Sequence, residues 1–242
     1  MKIPRPPHNW SVSPREAIAI QKRLAASVRQ AKPDKPLRLI AGVDAAFTAD
    51  GKFCLAGVVL WDTVKGEVVE RRTATRRLIF PYIPGLLTFR EAPAILAALR
   101  KLHRTPDCLM CDGQGIAHPR KCGIATHIGI IVGLPTIGCA KSRLIGDYAM
   151  PALSRGSRSP VVFKDETIGM VLRTRDRVKP LFVSVGNEID LNTAVKVTLD
   201  CGGGFRLPEP TRLADQLVGS EKRKRAGRLG TAIPSSRRLL VD

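Results

Sequence analysis

Cys108-Leu109-Met110-Cys111-Asp112-Gly113-Gln114-Gly115-Ile116-Ala117-His118-Pro119 is the stretch that decides the fold. Four apolar residues in a row read as a short buried strand, which then stops on a carboxylate and a glycine. A helix is expected from Pro119 to Val132 and a further strand from Pro135 to Ala140. Strand, helix and strand in that order make a βαβ unit with parallel pairing. Upstream, Thr88 to His103 reads as another helix. Before it, Leu37 to Val43, Phe53 to Trp61 and Glu67 to Leu78 read as strands. The turns Thr48-Ala49-Asp50-Gly51 and Val64-Lys65-Gly66 join them into an antiparallel meander. A meander that passes into βαβ units predicts an α/β fold whose mixed β-sheet is flanked by helices.

The two ends of the chain read differently. Ser13-Pro14-Arg15-Glu16 opens a helix to about Ala31, with Ser13 as N-cap and Glu16 completing a capping box. Pro151 to Glu166, rich in Ser, Arg and Pro, is expected to be a surface loop. Ile168 to Thr174 and Leu181 to Val185 read as strands, and Asp190 to Leu199 and Glu209 to Val218 as helices. From Glu221 the apolar periodicity is lost. Residues 221–242 carry Lys222, Arg223, Lys224, Arg225, Arg228, Arg237 and Arg238 against two acids. The expected organisation is one domain over residues 1–220 and a flexible basic tail over 221–242.

At 242 residues, 44% hydrophobic and 25% charged, the chain can bury a full core, which excludes a disordered, collagenous or coiled-coil protein. Forty Lys and Arg against 21 Asp and Glu give a net charge of +19. That surplus costs stability through self-repulsion, and a polyanion such as nucleic acid relieves it. Gly123 to Ala140, the most apolar long run, is interrupted by His127 and Pro135, too early for a membrane span. The amino terminus lacks the apolar core of a signal peptide. A cytoplasmic protein with no membrane partner is the expectation, its six cysteines free thiols. Cys108 and Cys111 have the spacing of a zinc pair, but an offset of three along a strand points them to opposite faces.

Asp44 and Asp112 each follow an apolar strand, where α/β sheets usually bind ligands. Packed together they repel, and Mg²⁺ or Mn²⁺ offsets that; taken singly, each also fits a cap or turn residue. Glu91 is either a third ligand or an acid favoured by a helix dipole. Gly113 and Gly115 permit close approach to the backbone. Lys141, with Ser142 after it, suits a phosphate or plain solvent. Tyr82, in Pro81-Tyr82-Ile83-Pro84-Gly85, is either a residue that stacks on bases or a hydrophobic plug.

Together these runs resemble the endonuclease V family. The likeness is carried by Val43-Asp44, Pro81 to Gly85, Phe89-Arg90-Glu91, Asp112 to Arg120, Pro135 to Gly138, Ala140-Lys141-Ser142 and Arg206 to Asp215, in the family's order. It implies a ribonuclease H-like fold and a DNA repair enzyme that recognises deaminated bases such as deoxyinosine. Such an enzyme hydrolyses the second phosphodiester bond 3′ to the lesion with Mg²⁺. Some relatives act on inosine in RNA, which is the alternative. The resemblance implies Asp44 and Asp112 as metal ligands with Glu91 as a third acid. It makes Tyr82 the wedge left in the place of a flipped base, with Lys141 on phosphate and His118 near the attacked phosphate. Gly85, Leu87, Gly113 and Gly138 would line the base pocket, and the enzyme would act as a monomer. Two departures stand out. Gly186-Asn187-Glu188 replaces a Gly-His-basic run, and Asp215 fills a metal-associated position that is His in some members.

Overall fold

The computed structural model describes residues 1–230. Helix α1 (Pro14–Ala25) leads into strands β1 (Leu39–Phe47), β2 (Phe53–Asp62) and β3 (Glu67–Arg77). Then follow α2 (Thr88–Leu99), β4 (Cys108–Cys111), α3 (Ile124–Val132), β5 (Thr136–Ala140), β6 (Arg158–Phe163), β7 (Glu166–Leu172), β8 (Leu181–Asn187), α4 (Leu191–Asp200) and α5 (Glu209–Gly230). The strands form one sheet in the order β3-β2-β1-β4-β5-β8-β7-β6. β1, β4 and β5 run parallel at its centre, and the flanking pairs are antiparallel. The mixed sheet is as expected. One face packs on α2 and α3 through Leu96, Leu99, Leu109 and Ile128. The other packs on α4 through Met110, Ile137 and Val195. Each fully buried side chain of this size contributes about 1.5–3 kcal/mol. Helix α5 lies so close to β1 that a Cβ on Gly42 would collide with the Pro210 carbonyl, so only glycine fits there.

Several boundaries depart from the sequence reading. Strand β1 does not end at Val43 but runs to Phe47, paired with β2 throughout. Helix α3 starts at Ile124 rather than Pro119, because Pro119 to Gly123 forms a loop with Lys121 at φ 50°. Part of the expected loop from Pro151 to Glu166 is strand β6, paired with β7. The last helix does not stop at Val218 but continues to Gly230, so the first ten residues of the expected flexible tail are helical. The rest of that tail, residues 231–242, lies outside the described residues.

The amino-terminal segment packs over α2 and α3. Trp10 stacks on His127 at 5.4 Å, and His8 Nε2 lies 2.7 Å from His127 Nε2. His127 is fully buried; burial first, then His8, lowers its pKa to about 3. All six cysteines are free and buried. Cys111 packs in the cluster on the α2 and α3 face and Cys108 in the one on the α4 face, so they do point apart. Among the described residues no helix is long and apolar enough to cross a membrane.

Candidate active site

Val43 and Cys111 are paired neighbours on parallel strands, so Asp44 and Asp112 occupy the next position on each. There the strands part. β1 continues along β2, while the chain leaves β4 through Gly113, at φ 154°. Two carboxylates are thus held in a fork between strands about 4.8 Å apart. Glu91, in the first turn of α2, completes the set from above: Asp44, Glu91 and Asp112 line one recess. Burial raises Asp44 to about pH 7, helped by the charges of Asp112 and Asp215. Burial likewise raises Glu91 to about 8, with Asp44 and Asp112 adding to it. From the other side of the fork Lys141, just past β5, sets its Nζ 2.5 Å from Asp112 and 3.8 Å from Asp215 of α5. Burial opposes its charge, but the acids around it outweigh that and hold its pKa up.

Among the described residues no three His, Cys, Asp or Glu side chains stand close enough to enclose an ion by themselves. Mg²⁺ asks for fewer protein ligands than that: it keeps several waters and takes one or two carboxylates together with substrate oxygens. The donor set is all oxygen. Its crowding already attracts one cation, the Lys141 ammonium. The residues therefore fit a hard divalent ion.

A cleft of about 370 Å³ adjoins the fork. Glu91, Asp112, Gly113, Lys141 and Ser142 line it together with Tyr82, Ile83, Pro84, Gly85 and Leu87. Tyr82 is 69% exposed, which removes the plug reading. Gly85, at φ 77°, pins this loop. Its carbonyl accepts from Gln21 Nε2 at 2.9 Å, His118 Nε2 at 3.0 Å and Arg120 Nη2 at 2.8 Å. His118 Nδ1 accepts the Arg120 amide at 3.2 Å, so both ring nitrogens are engaged and the imidazole is the Nε2–H tautomer. Burial, with Arg120 beside it, lowers His118 to about 4. His118 lines the same cleft as Asp112 and Lys141 and also anchors the tyrosine loop.

Two further expectations change. Gly138 does not line the cleft. It is buried in β5, and a Cβ there would strike the Gly115 amide, so its role is to let the Gly113 to Gly115 turn lie flat on the sheet. A Cβ on Gly115 would strike the Val185 carbonyl of β8, so this glycine serves packing too. Pro81 stands outside the cleft lining and Pro84 within it. Sequence reasoning missed Gln21, Arg120 and Arg206. Arg206 donates through Nη2 to the Lys141 carbonyl at 2.6 Å and to the Pro180 carbonyl at 2.9 Å, steadying the lysine from behind. A polar residue on the buried face of α1 is the one signal that pointed to Gln21.

A mixed sheet with acids in the fork of its central parallel strands defines a nuclease of ribonuclease H-like architecture. Within that class the chain belongs to the endonuclease V family, whose sequence model matches residues 22–216. It is 46% identical over 215 residues to the Endonuclease V of Nostoc punctiforme, covering 88% of this chain and 97% of that one. The structure of Endonuclease V from Streptomyces avermitilis is similar at a TM-score of 0.84 and 40% identity, over 96% of this chain and 100% of that one. Endonuclease V from Ciona intestinalis, in complex with a 24mer DNA containing an inosine followed by a ribo-adenosine, is similar at a TM-score of 0.77 and 25% identity. That match covers 87% of this chain and 98% of the Ciona protein.

Proposed function

We propose that this protein is a DNA repair endonuclease that recognises deaminated bases, deoxyinosine above all. It hydrolyses the second phosphodiester bond 3′ to the lesion with Mg²⁺, for which Mn²⁺ can substitute. The observation that carries this reading is the fork, where Asp44 and Glu91 are held as carboxyls with pKa values near 7 and 8 beside Asp112. Three acids gathered against their own repulsion suit a divalent cation, with Asp44 and Asp112 as its ligands and Glu91 and Asp215 beside them. When bound, the cation supplies charge stabilisation at the phosphate and the leaving oxygen.

The chain's own residues do the rest. Lys141 neutralises phosphate charge beside Asp112. Tyr82 enters the stack, and the extruded base sits in the cleft against Gly85, Leu87 and Gly113. Hypoxanthine lacks guanine's exocyclic amine, so a close-fitting pocket can favour it by excluding that group. All these residues come from one chain, so a monomer suffices in the cytoplasm. The test is cleavage of matched inosine-containing and undamaged duplexes, with Mg²⁺ and with EDTA. Inosine-dependent, EDTA-sensitive nicking at the second 3′ bond is the expected result.

A second reading, an endoribonuclease acting on inosine in RNA, is favoured by the ribo-adenosine after the inosine in the Ciona complex. Oligonucleotides identical but for deoxyinosine or riboinosine at one position separate the two.

A further inference from the structure

Beyond the cleft, the same edge of the molecule carries a ridge of basic side chains that the chemistry at the fork does not use. β3 is an edge strand. Its last two residues, Arg76 and Arg77, are exposed and pair with Cys54 and Phe53 at the start of β2. Lys52, exposed in the preceding turn, accepts the Leu78 amide on its carbonyl at 2.8 Å and so ties the turn to the end of β3. Helix α5 then crosses the sheet towards this corner. Val218 is buried against β2, and Lys222 and Arg225 follow on the same helical face at the spacing of successive turns. The Arg225 guanidinium lies 4.5 Å over the Phe53 ring. Lys224 is paired with Glu221, and the charge of Asp50, in the turn with Lys52, reaches Lys52 and Arg225, but among the described residues no carboxylate comes within ion-pair distance of Lys52, Arg76, Arg77 or Arg225.

We propose that Lys52, Arg76, Arg77 and Arg225 form a second nucleic-acid contact that grips the phosphate backbone of the duplex flanking the lesion. It rests on the functional reading above for the position of the lesion. Charge complementarity selects the partner: Arg77 lies on the Phe53 and Arg225 side of the sheet and Arg76, the next strand position, on the other, so the cations flank this corner of the edge strand and match a phosphate backbone running across it. Chain connectivity sets the reach. Tyr82 lies five residue steps beyond Arg77, and at about 3.3–3.6 Å each these span at most about 18 Å. Duplex rises about 3.4 Å per base pair along each strand, so the ridge meets phosphates within about five base pairs of the wedge. The α5 part of the ridge lies beyond residue 216, the last that the family's sequence model matches. The ridge adds affinity and holds one flank, and it reads no base.

The test compares the full-length protein with Arg76→Ala/Arg77→Ala and with Arg76→Ala/Arg77→Ala/Arg225→Ala. Lys32→Ala/Lys35→Ala, two exposed lysines before the amino end of β1, is the control for net charge. Binding is measured by fluorescence anisotropy over a salt series, on undamaged duplex and on inosine duplexes extended on one side of the lesion or the other. Each lost phosphate contact lowers the slope of log K against log salt by about 0.9, so the double and triple variants should fall by about 2 and 3. The control should change by less than one contact. Lengthening one flank past about five base pairs should tighten the wild type and leave the triple variant unchanged. Thermal melts check folding, and the double variant leaves α5 intact if Arg225→Ala frays it. An unchanged slope in the double variant overturns the ridge, as does an equal loss in the control. Wild-type protein that fails to cleave the inosine duplex while the slopes differ as expected overturns the functional reading and leaves the ridge standing as a duplex-binding surface.

Discussion

Tyr82→Ala is the most direct probe of the loop above the fork. The ring is 69% exposed, and the Arg90 guanidinium lies 6.0 Å from its centre. Its removal takes nothing from the core, so stability should change by no more than about 0.5 kcal/mol. The loop keeps its shape, because the anchor is the Gly85 carbonyl and its three donors rather than the tyrosine. Function should respond quite differently. Extruding a base from duplex breaks its stacking, at a few kcal/mol. An inserted aromatic ring returns about 1–3 kcal/mol of that, so inosine recognition in duplex should weaken by roughly tenfold to a hundredfold. Tyr82→Phe, which keeps the ring, should stay near wild type. On single-stranded substrate, where less stacking is lost, the alanine variant should come much closer to wild type. The assay pairs melting temperature with cleavage of single- and double-stranded inosine substrates under single turnover. Equal losses on both substrates, or a lowered melting temperature, would refute the wedge.

Asp44→Asn and Asp112→Asn should each abolish cleavage in Mg²⁺ with near-normal melting, and retained turnover in either would remove that acid from the site. Gly115→Ala should destabilise the protein by about 1–3 kcal/mol or more, because the added methyl meets the Val185 backbone rather than a movable side chain; denaturant unfolding measures it. His127 is held neutral, with its pKa lowered from 6.5 to about 3. A lowered folded pKa makes stability full above pH 6.5 and progressively lost as pH falls towards 3, the unfolded chain binding the proton first. Melting temperature should therefore drop between pH 7 and pH 4, and less steeply in His127→Gln at matched ionic strength. A parallel fall in both proteins would place the acid sensitivity elsewhere.

Much of this could be read along the chain, and the misses have physical causes. Asp112 was legible because the strand before it is fully apolar and a glycine follows. Asp44 was misread as a strand end because Ala45 and Ala46 carry no strand signal, and pairing to β2 holds them extended. β6 was hidden because it lies at the sheet edge, where Arg158, Ser159 and Pro160 are tolerated by an unpaired flank. The helical continuation from Glu221 was hidden because its residues are charged. Lys, Arg, Glu and Ala are good helix formers, but solvent on most sides erases the apolar period. Gly138 was read as a pocket residue and Gly115 as a point of close ligand approach because a glycine's need for room looks the same whether backbone or ligand fills it. Gln21, Arg120 and Arg206 act through backbone carbonyls distant in sequence, and no local pattern announces such a partner.

The buried cysteines have a practical consequence. Burial pushes the thiols of Cys54, Cys122 and Cys139 up to about 12, and those of Cys108, Cys111 and Cys201 are raised as well. The thiolate is the form that attacks maleimides and oxidants, so at neutral pH the folded chain offers labelling reagents almost nothing. Cysteine-free engineering, which would disturb six core positions, is therefore unnecessary before attaching a dye. A single Ala49→Cys, in the exposed turn beside Lys52, would carry the fluorophore alone. With an acceptor on either arm of an inosine duplex, energy transfer would then show which arm lies against that turn and how long it stays there.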